Sequence, residues 1–285
     1  MLKTSCLLII LMFLFAGCGG DSGSSAVPTG VPVTAYTITT VLNRLVELNT
    51  IGNTGHYEMW ATVNGSAKNI QKFQITDGNI IRNLEGGEIG KLNEPFILKS
   101  TDNLRNATDI FISVEQSSST PTQSILRGTV DTTTGQVALN PGYAIIEGGT
   151  TQLLVSSGTV ANISGSYRVI NNNEISFKSS SGSNLLTLEK LTSSWTYGAW
   201  LVRGGSAELI GRFNSASEAP NKTFSYNIND GSCTVMITAE PAGTQTTQPF
   251  TLLKLLYATI PSGGSEGLNM NYNASGLPIG NGLVN

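Results

Sequence analysis

The chain is short of charge. Lys+Arg number 16 and Asp+Glu 19 in 285 residues, 12% in all, with a net charge of −3. That is about half the roughly 25% of an ordinary soluble domain. Without a basic excess, nothing holds a nucleic acid electrostatically. Histidine is limited to one residue and cysteine to three, too few for a zinc finger or a Cys/His nucleophile pair. The aspartates Asp21, Asp77, Asp102, Asp109, Asp131 and Asp230 are scattered, without an EF-hand or nonapeptide calcium spacing. No metal and no cofactor is expected. In place of charge the chain carries Ser, Thr, Asn and 32 Gly, types that favour strands and turns over helices. The hydrophobic share of 39% is too high for a fully disordered chain.

The N-terminus sets the expected compartment. Lys3 precedes an apolar run from Leu7 to Phe15. Such a run makes about 15 Å of helix, half of the hydrocarbon core, which suits a signal peptide and not a membrane span. It ends in Phe15-Ala16-Gly17-Cys18. Small residues before a cysteine at this place resemble the bacterial lipobox, with Phe15 standing where Leu is usual. The resemblance implies cleavage after Gly17 and lipid attachment at Cys18, with the acyl chains inserted in a membrane. Gly19 takes the place of the Asp that retains similar lipoproteins in the inner membrane, so the outer membrane of the cell envelope is the expected destination. An ordinary signal peptide cut near Gly17 is the alternative. Gly19–Pro32 reads as a flexible tether. With Cys6 in the leader and Cys18 lipidated, Cys233 is expected as a small buried hydrophobe in a strand.

Self-comparison is the most informative step. His56–Gln74 aligns with Thr196–Asn214 at a constant shift of 140, with seven of nineteen positions identical. These are Tyr57/Tyr197, Trp60/Trp200, Gly65/Gly205, Ser66/Ser206, Ala67/Ala207, Ile70/Ile210 and Phe73/Phe213. Chance gives about one, so duplication is the better explanation. Ile110–Glu115 then matches Val235–Glu240, and Leu126–Val130 matches Leu256–Ile260.

Periodicity within the units is two, the strand period. Thr223–Asn229 alternates polar and apolar residues, and in Thr234–Glu240 Val235, Ile237 and Ala239 share one face. Asn64-Gly65 and Gly204-Gly205 separate strand-like runs, as tight hairpins require, and Asp77-Gly78 and Asp230-Gly231 mark further turns. Val41–Leu48 has the composition of a short helix, but its counterpart Leu185–Leu191 follows Ser-Gly-Ser-Asn, which favours extended chain in both. The expected fold class is all-β: two related antiparallel β-sandwich-like modules in tandem behind a lipoprotein signal peptide. The partition is a leader (1–17), lipidated Cys18 and tether (18–35), module 1 (36–130), a β-rich connection (131–174), module 2 (175–260) and a low-complexity tail (261–285). Tyr57, Trp60, Phe73 and their counterparts are expected in the core. Glu115 and Glu240 each end an apolar strand, where a carboxylate accepts backbone N–H bonds at a turn.

Tyr197-Gly198-Ala199-Trp200-Leu201-Val202, then Gly211-Arg212-Phe213, then Ile237-Thr238-Ala239-Glu240-Pro241-Ala242-Gly243 resembles the C-terminal extracytoplasmic domain of anti-sigma-K factors (RskA). The first unit shares Tyr57, Trp60, Phe73 and Ser113-Val114-Glu115, with Gln116 in place of the family's proline. The resemblance implies a sensory or interaction module and carries over no catalytic residue. The sigma-binding domain and transmembrane helix of that family are not expected here.

The expected function is therefore non-catalytic: a lipid-anchored envelope protein whose β modules sense or bind a protein or cell-wall partner. A structural or adhesive surface lipoprotein is the alternative. An envelope hydrolase is the third reading, because Gly263-Gly264-Ser265-Glu266-Gly267 spells G-x-S-x-G. That chemistry needs a strand before the serine, a helix after it and a histidine in reach, and His56 is the single imidazole. The five N-x-S/T spellings at Asn64, Asn106, Asn162, Asn221 and Asn273 follow from composition.

Overall fold

In the computed structural model, residues 35–48, 55–115, 121, 124–142, 144–147, 150–153, 163–243 and 247–285 are described. Cys18, the leader and most of the tether lie outside them. The described chain is all-β. It opens with β1 (Tyr36–Asn43), β2 (His56–Val63), β3 (Ser66–Thr76), β4 (Ile80–Asn83), β5 (Glu88–Lys91) and β6 (Phe96–Ser100). There follow β7 (Ala107–Glu115), β8 (Ser124–Thr129), β9 (Gln136–Pro141), β10 (Ala144–Glu147) and β11 (Thr150–Leu153). The second half holds β12 (Ser164–Ile170), β13 (Glu174–Ser176), β14 (Leu186–Thr187), β15 (Lys190–Leu191), β16 (Trp195–Arg203), β17 (Ser206–Phe213) and β18 (Lys222–Thr223). It closes with β19 (Cys233–Pro241), β20 (Lys254–Thr259), β21 (Leu268–Asn269), β22 (Asn271–Tyr272) and β23 (Ile279–Val284). Only short 3-10 turns interrupt the strands.

The largest sheet has ten strands in the order β5-β4-β3-β2-β7-β8-β9-β23-β1-β6. Its two edge strands, β5 and β6, are consecutive in the chain and joined through Leu92–Pro95. Four residues reach little more than about 14 Å, so the sheet curls until its edges approach. Gly90 of β5 lies so close that an added Cβ would stand 2.6 Å from the Cβ of Phe96 on β6. A five-stranded sheet, β17-β16-β19-β20-β22, carries the second half. Smaller sheets join β14, β12, β13 and β18, with β21 on β12, and β11, β10 and β15. Every pairing among the described residues is antiparallel.

The two aligned stretches fold alike to the residue. The β2–β3 and β16–β17 hairpins pair Tyr57 with Phe73 and Tyr197 with Phe213, and each carries an irregularity just before its tryptophan. β7–β8 and β19–β20 repeat this, with register breaks at Ile112/Ser113 and Ile237/Thr238. The hairpin turns have the predicted chemistry. Asn64 and Gly65 sit at φ 51° and 75°, Gly204 and Gly205 at 55° and 82°, the type I′ region that matches strand twist. The tyrosine and phenylalanine anchors are in the core: Tyr57 stacks on Phe73 at 5.4 Å between centroids, and Tyr197 meets Phe213 at 5.3 Å. Trp60 and Trp200 are buried outside that cluster, beside Phe111 and Glu240. Each tyrosine hydroxyl donates to a carbonyl in the preceding segment, Val46 at 2.7 Å and Glu189 at 2.8 Å. Val41–Leu48 is extended through Asn43, and Leu185–Leu191 contributes β14 and β15.

Three expectations need correction. Residues 261–285 are not a loose tail: they supply β21, β22 and β23, and β23 enters the first sheet between β9 and β1. The boundary at 130 also cuts through that sheet, because β9 pairs with β8. Third, Thr223–Asn229 is a strand only at its first residue. Phe224 and Ile228 are buried as the alternation implies, but their amides bond to the carbonyls of Asn173 and Asn172, at 2.7 and 2.8 Å. Asn171 and Asn172 form a positive-φ turn, so this stretch docks on a turn and not on a strand that could continue the ladder.

Candidate functional site

Among the described residues, polar chemistry combines with burial at a carboxylate on each repeated hairpin, and with concavity in a groove on the ten-stranded sheet. The carboxylates come first because they absorb the candidate residues His56, Glu115 and Glu240.

Cross-strand pairing puts Lys72, Glu58 and Ser113 in one row of the first sheet. Glu58 is fully buried. Its Oε1 accepts from His56 Nε2 and Lys72 Nζ, both at 2.8 Å, and its Oε2 from Asn69 Nδ2 at 2.8 Å. The indole N–H of Trp60 donates to Ser113 Oγ at 3.0 Å. In the second repeat the matching row is Arg212, Gly198 and Thr238. There Gly198 replaces Glu58, and the carboxylate arrives from the next strand. Glu240, also fully buried, accepts from Trp200 Nε1 and Thr238 Oγ1 at 2.7 Å and from Arg212 Nε at 3.1 Å. A Cβ on Gly198 would press into the Glu240 carboxylate. Both repeats thus bring a buried carboxylate to the base at one alignment position, Lys72 or Arg212, but they deliver it from different strands, and only in the second does the tryptophan indole donate to it. The expectation for Glu240 is corrected: its donors are side chains, not turn amides. Buried charge persists only when paired and hydrogen-bonded, and both carboxylates meet that condition. Glu115 is buried beside His56 in the register.

This arrangement suits cohesion better than chemistry on a substrate. His56, Glu58 and Ser113 are all buried, and Ser113 Oγ is engaged by an indole. Ser265 lies elsewhere, its carbonyl accepting from the amide of Val169 on β12 at 2.8 Å, and no helix follows it. The G-x-S-x-G spelling therefore does not form a strand–serine–helix elbow, and its serine and His56 are not brought together. Among the described residues no group of three or more His, Cys, Asp or Glu could hold a metal. No helix among them is long and apolar enough to cross a membrane.

Cys233 opens β19 and is buried and unpaired. Burial pushes its thiol above the ordinary range, which lowers the reactive thiolate fraction. With Cys6 and Cys18 replaced by Ser, the folded chain is expected to react with a soluble disulfide reagent at least about a hundredfold more slowly than the unfolded chain. A native rate near the unfolded one would show that β19 is not buried.

The groove runs over the outer face of β9, β23 and β1, with a volume of about 670 Å³. Thr39, Val41, Thr129, Gln136, Ala138, Asn281 and Leu283 line it, and Asp131 is its single charged residue. One row across the strands reads Ile97, Thr39, Leu283, Gln136. Ile97 is 58% exposed, and Leu283 and Ile279 are each 38% exposed. The amides of Thr133 and Thr134 donate to the Asp131 carboxylate at 2.8 and 3.1 Å and hold it below the usual carboxylate range. The groove therefore presents hydroxyls, amides and short apolar patches with one fixed negative charge.

Sequence reasoning singled out neither Glu58 nor this groove. A signal for the first did exist: Lys72 and Arg212 are both basic at one alignment position, and a base that recurs in a buried hairpin needs an acid. The groove had none, because β23 carries glycine where alternation would place inward side chains. No protein-family model, curated protein or solved structure matches the chain.

Proposed function

We propose that this chain is a non-catalytic, lipid-anchored cell-envelope protein that binds a protein or cell-wall partner through the groove over β9, β23 and β1. The observation that carries the binding role is the groove itself: about 670 Å³ lined by Thr, Gln, Asn and aliphatic residues with one charge, flanked by exposed Ile97 and Leu283. Such a surface recognises neutral hydroxyl- and amide-rich chains better than ions. The anchor rests on the Leu7–Phe15 run and Ala16-Gly17-Cys18, and an outer-membrane location on Gly19. The likeness of Tyr197–Val202 and Ile237–Gly243 to the anti-sigma-K extracytoplasmic domain supports a sensing or interaction role. The shared register of the two hairpins supports duplication of one ancestral unit.

One experiment tests both halves. Cells fed an alkyne palmitate analogue are expected to label the wild-type chain, which fractionates with membranes. Cys18→Ser is expected to be unlabelled and soluble, and equal membrane retention of that variant would remove the anchor. The soluble Cys18→Ser chain is then sedimented with isolated cell-wall sacculi. Leu283→Arg, which puts a charge into the groove, is expected to weaken co-sedimentation roughly tenfold. Equal sedimentation of the two proteins would remove the groove as the binding face.

A further inference from the structure

Strand β23 occupies a slot that the rest of the first sheet leaves open. β23 pairs with β1 from Ile38↔Val284 to Asn43↔Ile279, and with β9 from Leu139↔Gly280 to Gln136↔Leu283. Without it, β1 and β9 have no common partner, and the sheet divides into β5-β4-β3-β2-β7-β8-β9 and β1-β6. The strand is reached through Asn273–Pro278, whose Ser275 and Gly276 are exposed. Its contacts reach across the length of the chain: Thr40 Oγ1 donates to Asn281 O at 2.7 Å, Arg44 Nη1 to Leu277 O at 3.2 Å, and Asn285 N to Thr37 O at 2.9 Å.

The slot also has a side-chain code. Ile279, Asn281 and Leu283 face outward, and Gly280, Gly282 and Val284 inward. A Cβ on Gly280 would stand 2.9 Å from Leu42 Cδ2 and Val41 O. On Gly282 it would stand 3.0 Å from Val137 Cγ1 and 3.1 Å from Ile38 Cδ1. These spacings are tighter than ordinary packing, so the neighbours already fill the inward volume, and a larger residue at both places would force β1 and β9 apart. Main-chain hydrogen bonds supply the attraction, and the alternate-residue pockets supply selection, which is the logic of strand addition to a sheet.

We propose that the gap between β1 and β9 is a strand-binding site whose ligand is the chain's own segment Leu277–Asn285, held as a separable donor strand with a Gly-x-Gly requirement. It follows that the first sheet cannot close until residues 277–285 have been delivered, and that the same segment supplied separately enters the slot.

The test uses the complete chain with Cys18→Ser and a protease site inserted between Ser275 and Gly276, cut after folding. The released fragment, which carries Gly276–Asn285, is expected to stay bound through gel filtration. Below the urea midpoint it is expected to exchange with a fluorescein-labelled peptide of sequence 277–285. The same peptide with Gly280→Val and Gly282→Val is expected to bind at least tenfold more weakly. Three outcomes overturn the proposal. One is loss of the fragment on cutting with no change in the melting temperature of the remainder. Another is entry of the valine peptide as readily as the native one. The third is retention without exchange up to global unfolding. None of these readouts involves the outer groove partner, so failure here is distinguishable from failure of the proposed function.

Discussion

Replacing Glu240 by Ala is expected to lower unfolding stability by about 3 kcal/mol, near the lower end of the range for breaking a buried ion pair. The lower end applies because the Arg212 side chain is 27% exposed and can recover water, whereas Glu240 is fully buried. Trp200 Nε1 and Thr238 Oγ1 lose their acceptor in the same step. The repeat architecture makes a stronger test available. Gly198→Glu alone places a second carboxylate against the first, so it is expected to cost more than Glu240→Ala. In the double variant Gly198→Glu/Glu240→Ala, the new carboxylate enters from β16 toward Arg212, as Glu58 enters from β2 toward Lys72. The double variant is expected to be more stable than Gly198→Glu by well over the roughly 0.5 kcal/mol scatter of additive pairs. Urea unfolding of the four proteins completes the cycle. Additive losses would mean that the two carboxylates do not occupy equivalent space.

Gly128→Ala is the second large effect. A single methyl at this position would lie inside the van der Waals envelope of the Ala138 carbonyl oxygen and 2.6 Å from Val137 Cγ2. The first obstacle is backbone of the neighbouring β9, which cannot rotate aside, so β8 and β9 must separate. The expected cost is at least about 3 kcal/mol, a fall in melting temperature of roughly 6–12 °C for a domain of this size. The repeat provides the control. The aligned residue is Ala258, 6% exposed, on a strand whose outer partner is the two-residue β22. Ala258→Gly is expected to cost about 1 kcal/mol. Differential scanning fluorimetry of both variants decides the matter, and a Gly128→Ala shift no larger than that of Ala258→Gly would show that β9 does not pack as described.

The all-β fold class was legible in the sequence because its determinants are local. Period-two alternation, Asn-Gly and Gly-Gly turns and scarce helix formers act within a few residues, and the self-alignment showed each hairpin pattern twice. The turns at Asn64-Gly65 and Gly204-Gly205 place the hairpins, but counting from them alone sets Tyr57 opposite Lys72 and Tyr197 opposite Arg212; the bulge before each tryptophan moves the register one residue, to Phe73 and Phe213. The buried positions of Tyr57 and Cys233 follow from strand alternation, which puts them on the core face. Trp60 and Trp200, three residues beyond Tyr57 and Tyr197, lie on the opposite face, where Phe111 and Arg212 cover them.

The candidate site was less legible, for a physical reason specific to each residue. Glu58 reads as one exposed acid among 19 until pairing of β2 with β3 sets Lys72 opposite it. Gly198 reads as a weak strand residue until the Glu240 side chain is seen to fill its space. Thr223–Asn229 has perfect alternation, yet an asparagine turn takes its amides.

The sequence by itself determined the strand class, because alternation and turn residues act between neighbours in the chain, and the repeated hairpin pattern, because the two copies align residue for residue. Tertiary structure alone decided how the sheet closes. Ile279–Val284 carries no recognisable strand signal, since glycines stand at its inward positions. Those glycines are explained only by β1 and β9, whose side chains already fill the space. A pairing between residues some 240 positions apart leaves no trace in local pattern, and here that pairing both completes the core and forms the groove.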